Sequence, residues 1–392
     1  MNIQQLRQDT PGCEKVIHLN NAGCSLHTQQ VLQAIQDYLA LEQTLGGYEA
    51  AAAKANDIAK FYHALATLLN CKAANIAFAH SATDAYAKAL SSISFSKGDA
   101  ILTTENDYVS NQIQFLSLQK KSGVKIIRAE NSHAGEVDIT SIEENIKTHH
   151  PKLVAVTHVP SNSGLVQPVE KIGDLCNRYD VLYLVDACQS AGQLQLDVQK
   201  IRCDFLSATM RKFLRGPRGT GFLYVSDKVL GLQMEPLLID MHGADWTEEN
   251  KYQPLADARR FEYIELSYAL LLGATSAINY ALQIGLETIE NRNAELCDYA
   301  RRKLSAISKI KLLDKGSRKV SIITLDVEGR SVFDLRDALQ LRKINTGAAE
   351  KKFALIDFTQ KNVVGALRIS PHYYNTFEEI DALCSAIEEI VK

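Results

Sequence analysis

No two of the eight cysteines, Cys13, Cys24, Cys71, Cys176, Cys188, Cys203, Cys297 and Cys384, form a CxxC pair. The usual zinc spacing and the redox dithiol are therefore missing, and a disulfide framework has no support. No metal is expected. No stretch approaches the roughly 20 apolar residues of a membrane span. The amino-terminal residues Met1 to Asp9 have no apolar segment flanked by positive charge, so they do not read as a secretory signal. A reduced, cytoplasmic setting fits best. Strong net charge is also lacking, at −3 overall. The basic residues are scattered apart from Lys120-Lys121, Arg301-Arg302-Lys303 and Lys351-Lys352, which read as solvated faces. Nothing electrostatic points to nucleic acid or a membrane as partner. No internal repeat or low-complexity segment is visible.

What the chain does have is length and regular alternation. Its 392 residues, 46% hydrophobic and 23% charged, suffice for a large core and a second, smaller domain. Short apolar runs predict strands at Val16–Leu19, Ile76–Phe78, Ala100–Thr103, Lys125–Arg128, Leu153–Val156, Leu182–Val185, Phe205–Leu206 and Phe222–Val225. Amphipathic helical stretches such as Glu170–Tyr179 separate many of them. This pattern predicts an α/β fold with a mainly parallel sheet buried on both faces. Between residues 28 and 70, Gly46-Gly47 interrupts two helical segments. The pattern loosens from about 230 to 268, and a long helical stretch then runs from Tyr268 towards Lys309. The tail reads as an α+β unit: strand Val320–Leu325, helix Val332–Leu341, strand Val363–Ile369 and a last helix. Thr376 and Glu379 form a capping-box pattern at the start of that helix. The expected organisation is an arm at 1–15, a large domain at 16–265, and a linking helix with a small domain at 266–392.

Two strand ends carry the chemistry. The run Val181-Leu182-Tyr183-Leu184-Val185 closes on Asp186. The run Asp204 to Arg211 closes on Lys212, followed by the glycine-dense turn Phe213-Leu214-Arg215-Gly216-Pro217-Arg218-Gly219-Thr220-Gly221. Ligands of open α/β sheets bind outside the carboxyl ends of strands, so this amine and this acid can converge on one crevice. Each alone has a plainer reading, a loop lysine and a helix cap. Downstream of Ile76-Ala77-Phe78, Ser81-Ala82-Thr83-Asp84 opens a helix with a capping-box pattern, and helix amino termini favour anions. The glycines at 216 to 221 lack the GxGxxG spacing and the GK[ST] ending of nucleotide-binding loops, and precede a strand.

This arrangement resembles the fold-type I pyridoxal phosphate (PLP) enzymes of the class V aminotransferase and cysteine desulfurase family, over roughly residues 16 to 390. The resemblance implies the aspartate aminotransferase-like fold with PLP as cofactor and a site shared across a homodimer. It makes Lys212 the amine that condenses with the cofactor aldehyde, and Asp186 the partner of the ring nitrogen. It implies Ala82, Thr83, Thr209 and Arg211 around the phosphate, where many relatives have serine and histidine at the last two positions. Tyr108 takes the place of a ring-stacked histidine, and Gln189 that of a glutamine on the ring hydroxyl. The segment His158 to Gly164 matches an asparagine-bearing loop, with either Ser161 or Asn162 facing the cofactor. Arg368 matches the clamp for the substrate α-carboxylate, although a strand-end arginine can also be structural. Asn21 and Ala22 fall in a loop that lines the substrate pocket. Arg260-Phe261-Glu262 resembles a segment reaching the neighbouring subunit's site; the Gly-Thr that usually follows is replaced by Ile264-Glu265, with Ser267 as a substitute.

The cysteine desulfurases of this family carry a nucleophilic cysteine shortly before the arginine. The corresponding segment here, Asn345 to Lys352, contains none, and Cys384 falls on the apolar face of the last helix. The lysine segment looks most like family members that cleave carbon–sulfur bonds without that cysteine, including cystine lyases and ergothioneine-pathway lyases. The expected reaction is β-elimination from a cysteine-derived substrate, yielding pyruvate and ammonia. Amino-group transfer or epimerisation is the alternative within enzymes, and a noncatalytic α/β binding protein the alternative outside them.

Overall fold

A computed structural model describes all 392 residues. Seven strands form the central sheet: β1 (Ile76–Ala79), β2 (Ala100–Thr104), β3 (Lys125–Ala129), β4 (Leu153–Thr157), β5 (Leu182–Asp186), β6 (Phe205–Thr209) and β7 (Gly221–Val225). Their order is β1-β7-β6-β5-β4-β2-β3, and only β7 runs antiparallel to its neighbours. Every residue of β1, β2, β4, β6 and β7 is buried, while the edge strand β3 is partly exposed. Burial on both faces is why these strands appear as unbroken apolar runs. Two apolar clusters, one on each face of the sheet, pack it against helices. Helices α1 (Ala82–Ser91), α2 (Val109–Ser122) and α3 (Val169–Arg178) follow β1, β2 and β4. Strands β5 and β6 are parallel neighbours with Asp186 opposite Ser207, so both deliver their carboxyl ends to one edge of the sheet.

Close packing of α3 depends on one glycine. A Cβ on Gly173 would lie 1.9 Å from the carbonyl oxygen of Ile201. Backbone cannot swing away as a side chain can, so Gly173→Ala is expected to cost about 2 kcal/mol. A lowered urea midpoint in equilibrium unfolding would report it; an unchanged midpoint would show that the helix shifts freely.

The single long helix expected after Tyr268 is two: α4 (Tyr268–Ile284) and α5 (Leu286–Ser305), bent by 79°. Gly285 sits at the break with φ +90°, a conformation glycine adopts without strain. No single helix is long and apolar enough to cross a membrane. The expected two helices between 28 and 70 are three, Gln29–Leu45, Gly47–Ala53 and Ala55–Leu69. The loose region contains an antiparallel hairpin, Ala244–Glu248 with Lys251–Pro254.

A second, antiparallel sheet holds β8 (Ile310–Leu312), β9 (Ile323–Val327), β10 (Gly347–Glu350) and β11 (Gly365–Ile369) in the order β8-β9-β11-β10. Helices α6 (Val332–Leu341) and α7 (Phe377–Val391) cover it. The capping box at Thr376 and Glu379 is formed in both directions. Near the amino terminus, Ile17–His18 pairs in parallel with Ile344–Asn345, and Leu19 joins the apolar core under the small sheet. Leu6 and Cys13 pack into the large core instead. The amino-terminal segment therefore touches both cores, and residues 20 to 25 cross the cleft between them.

Candidate active site

Lys212 follows β6 by three residues and is 7% exposed. The turn after it is closed by bonds from Arg215 N to Lys212 O (2.9 Å) and Gly216 N to Met210 O (2.8 Å). The buried lysines Lys88 and Lys361 pair with Asp84 and Asp357, whereas Lys212 has no carboxylate in ion-pair contact. Burial lowers its pKa, opposed by Cys188 and by Asp186. Its Nζ stands 5.9 Å from the centre of the Tyr108 ring. Tyr108 is the residue from which α2 starts.

Asp186, 3% exposed, has no cation in contact either. Its carboxylate accepts from Asn111 Nδ2 (3.0 Å) and from the Cys188 amide (2.9 Å). Asn111 also donates to Asp107 (3.1 Å). Asp107 accepts from Thr103 Oγ1 (2.7 Å), from the Tyr108 amide (2.7 Å) and from Thr157 Oγ1. Burial raises the pKa of Asp107, partly offset by its hydroxyl and amide donors. Asn111 and the Cys188 amide are contacts that reading the sequence missed. The available signal was spacing: Asn111 lies three residues after Tyr108 and shares its side of the helix.

At the start of α1, Ser81 Oγ accepts from Asp84 N (3.1 Å). The reciprocal bond reaches one residue further back, from His80 N to Asp84 Oδ2 (3.2 Å). The amides of Ala82 and Thr83 remain free at the helix tip. A Cβ on Gly221 would lie 2.9 Å from Ala82 N, so glycine keeps β7 close beneath this tip. Thr209 at the end of β6 donates to Thr220 O (3.4 Å).

The amino-terminal crossing closes the other side. Gln189 Nε2 donates to Ala22 O (3.1 Å), while its buried Oε1 has no partner. Ala22 N donates to Ser370 Oγ (2.9 Å). Asn21 does not present its amide to the cleft: it donates to Ser370 O (2.8 Å) and accepts from Tyr374 Oη (2.6 Å). Asn162 likewise points away, donating to Asp357 Oδ2 (2.6 Å). Its neighbour Ser161 uses its carbonyl to accept from Arg368 Nη1 (3.2 Å). Arg368 is half-buried with a buried, unpartnered Nε, and desolvation followed by the charge of Arg211 lowers its pKa to about 10. Arg211 donates to Gly23 O. Glu262 is fully engaged by Phe78 N (2.7 Å), Tyr62 Oη (3.0 Å) and His242 Nε2 (3.1 Å). Ser267 caps α4.

A pyridine ring between Tyr108 and Cys188 suits these groups. It would give Lys212 its missing partner, Asp186 a protonated nitrogen, Gln189 Oε1 a hydroxyl and the α1 tip an anion. An amine and an acid at neighbouring strand ends, set against a helix amino terminus, define a fold-type I pyridoxal phosphate enzyme. Within that class the chain belongs to the class V aminotransferase family, whose profile matches residues 17–383.

Relatives described as probable cysteine desulfurases include one from Pyrococcus abyssi, 27% identical and aligned over 99% of this chain and 98% of its own. Another, from Methanothermobacter thermautotrophicus, is 27% identical over 100% and 98%. Among solved structures, a cysteine desulfurase from Thermococcus onnurineus superposes with TM-score 0.91 at 26% identity, covering 99% and 98% of the two chains. The cystine C–S lyase C-DES, solved with its product cysteine persulfide, superposes with TM-score 0.86 at 20% identity over 97% and 99%.

One glycine here also has a testable role. A Cβ on Gly347 would lie 2.9 Å from Asn20 Oδ1 and 3.3 Å from Arg368 Nε. Gly347→Ala is expected to push Arg368 off its anchor and raise KM about tenfold with a smaller change in kcat. Steady-state kinetics on the amino-acid substrate would check this, and an unaltered KM would free Arg368 from that constraint.

Proposed function

We propose that the protein cleaves the Cβ–S bond of a cysteine-derived amino acid by β-elimination. The observation that carries this reading is the strand β10 beside Arg368. Its residues and those flanking it, Asn345 to Lys352, include no thiol, and Cys384 is buried in the small-domain core. No thiol of this strand is placed to attack the sulfur, which supports its departure with its bonding electrons. The description of relatives as cysteine desulfurases and of a structural neighbour as a cystine C–S lyase supports carbon–sulfur chemistry.

PLP, when bound, supplies an aldehyde for the substrate amine and a protonated ring that accepts the electron pair freed at Cα. The Ala82 and Thr83 amides with Thr209 would hold its phosphate, and Tyr108 would cover the ring. Gln189 would take the ring hydroxyl, while the Ser161 carbonyl stays on Arg368. Arg368 takes the α-carboxylate in a bidentate pair. Lys212, whose pKa burial lowers, removes the Cα proton and returns a proton to the departing sulfur. For a disulfide substrate the balance is one water consumed, with pyruvate, ammonium and a persulfide formed.

The active unit is a homodimer. Leu237, Leu238, Met241 and Trp246 are 78%, 77%, 77% and 80% exposed within ten residues of chain, and grouped exposed apolar side chains mark interaction sites. Eight unpaired cysteines suit a cytoplasmic setting.

The test is to supply PLP and follow pyruvate and sulfur release from cystine, cysteine, cysteine S-conjugates and sulfoxides. Prompt conversion of the cofactor to pyridoxamine phosphate without pyruvate would assign an aminotransferase, and Cα inversion alone an epimerase.

A further inference from the structure

Arg211 and Arg368 arrive from different sheets at one turn. Arg368 Nη2 donates to Asn20 Oδ1 (3.4 Å), and Arg211 donates to Gly23 O. Asn20 and Gly23 are the two ends of a tight turn closed by Gly23 N to Asn20 O (2.9 Å). A Cβ on Gly23 would lie 2.7 Å from Asn20 Oδ1, so the two acceptors are close neighbours. The Arg211 backbone is tied to the same crossing through Ser25 N to Arg211 O (2.9 Å).

Neither guanidinium meets a carboxylate. Half-buried cations without an anion are costly, and the pKa of Arg368 is lowered first by desolvation and then by the charge of Arg211. The two buried carboxylates described in this site are committed elsewhere: Asp186 to Asn111 and the Cys188 amide, Asp107 to Thr157. A single α-carboxylate satisfies one guanidinium fork. The Arg211 guanidinium, tied to Gly23 O, is then left for a second anion, on the turn next to Ala22, whose carbonyl accepts from Gln189.

We propose that Arg211 and Arg368 form a paired receptor, so that the preferred substrate carries a second acidic group at the far end of its sulfur substituent. Arg368 takes the α-carboxylate and Arg211 the distal carboxylate or sulfonate. This rests on the lyase reading for the chemistry and adds the class of substrate.

Two mixed disulfides of cysteine separate the possibilities, one made with 3-mercaptopropionate and the other with its amide. Wild-type protein is expected to favour the acid by about ten- to a hundredfold in kcat/KM, the range of one charged hydrogen-bonded contact. In Arg211→Gln that ratio falls to near one, and Arg211→Lys retains part of it. The dissociation constant of PLP, titrated on apoprotein by absorbance, moves less than about threefold in Arg211→Gln. A tenfold loss of PLP affinity with the substrate ratio intact would make Arg211 a phosphate ligand and overturn the proposal. Equal treatment of both disulfides by wild-type protein would overturn it too. Should neither disulfide yield pyruvate, the lyase reading fails on its own. Calorimetry of glutarate against butyrate on the holoenzyme then decides: tighter glutarate binding that vanishes in Arg211→Gln supports the receptor, and equal binding rejects it.

Discussion

Replacing Lys212 with alanine is expected to lower turnover by at least about 10³-fold, the combined loss of a covalent anchor and a proton carrier. The side chain is buried and without a carboxylate partner, so its removal deletes chemistry while leaving no broken ion pair. Borohydride reduction would trap cofactor covalently on wild-type protein and not on the variant. Full turnover in the variant would refute the assigned role. The sign of the pH dependence follows from the same burial. Desolvation lowers the pKa of Lys212 below its ordinary value of 10.5, so the proton-accepting form is populated at lower pH than for a free lysine. Turnover should rise as pH climbs through that lowered value and fall on its acid side, where Lys212 keeps its proton.

Asp186→Asn is expected to lower turnover by about 10² to 10³-fold, the range found when one preorganised charge or donor is lost at a reacting centre. Two donors converge on this carboxylate, Asn111 Nδ2 and the Cys188 amide. An asparagine offers one acceptor oxygen where both are needed, so one donor is left unmatched and the negative charge is gone. In the proposed role, loss of that charge would leave the ring nitrogen without the group that favours its protonated form. The measurement is kcat together with the cofactor's absorbance between pH 6 and 9. Wild-type kcat in the variant would mean that another acid holds the ring.

Much of this architecture was readable before any coordinates. The central strands are buried on both faces, which forces the uninterrupted apolar runs that mark β4, β5 and β7. Helix α6 matches its expected span, Val332–Leu341, because Ser331 caps its start. The strand β10 was not readable: Gly347-Ala348-Ala349-Glu350 has no β-branched or aromatic residue, and its pairing with β11 supplies what propensity does not. Gly285 gives no clear break signal, because one glycine within a helical pattern is often tolerated. Side-chain direction was the hardest part. Asn21 and Asn162 sit in the expected loops, yet their amides turn to Ser370, Tyr374 and Asp357, partners about 200 or more residues distant. Asn111 reads as an ordinary polar helix residue until Asp186 is placed above it.

Pairing Ile17–His18 with Ile344–Asn345 has a consequence for biosynthesis. The ribosome delivers the first of these strands early and its mate only near the end, so the turn that carries Asn20 and Gly23 has no fixed seat until then. Contacts this distant in the chain form slowly. The newborn enzyme should acquire its central sheet first and its grip on the amino acid last, and truncation before residue 344 would yield a protein that folds in part and binds no substrate.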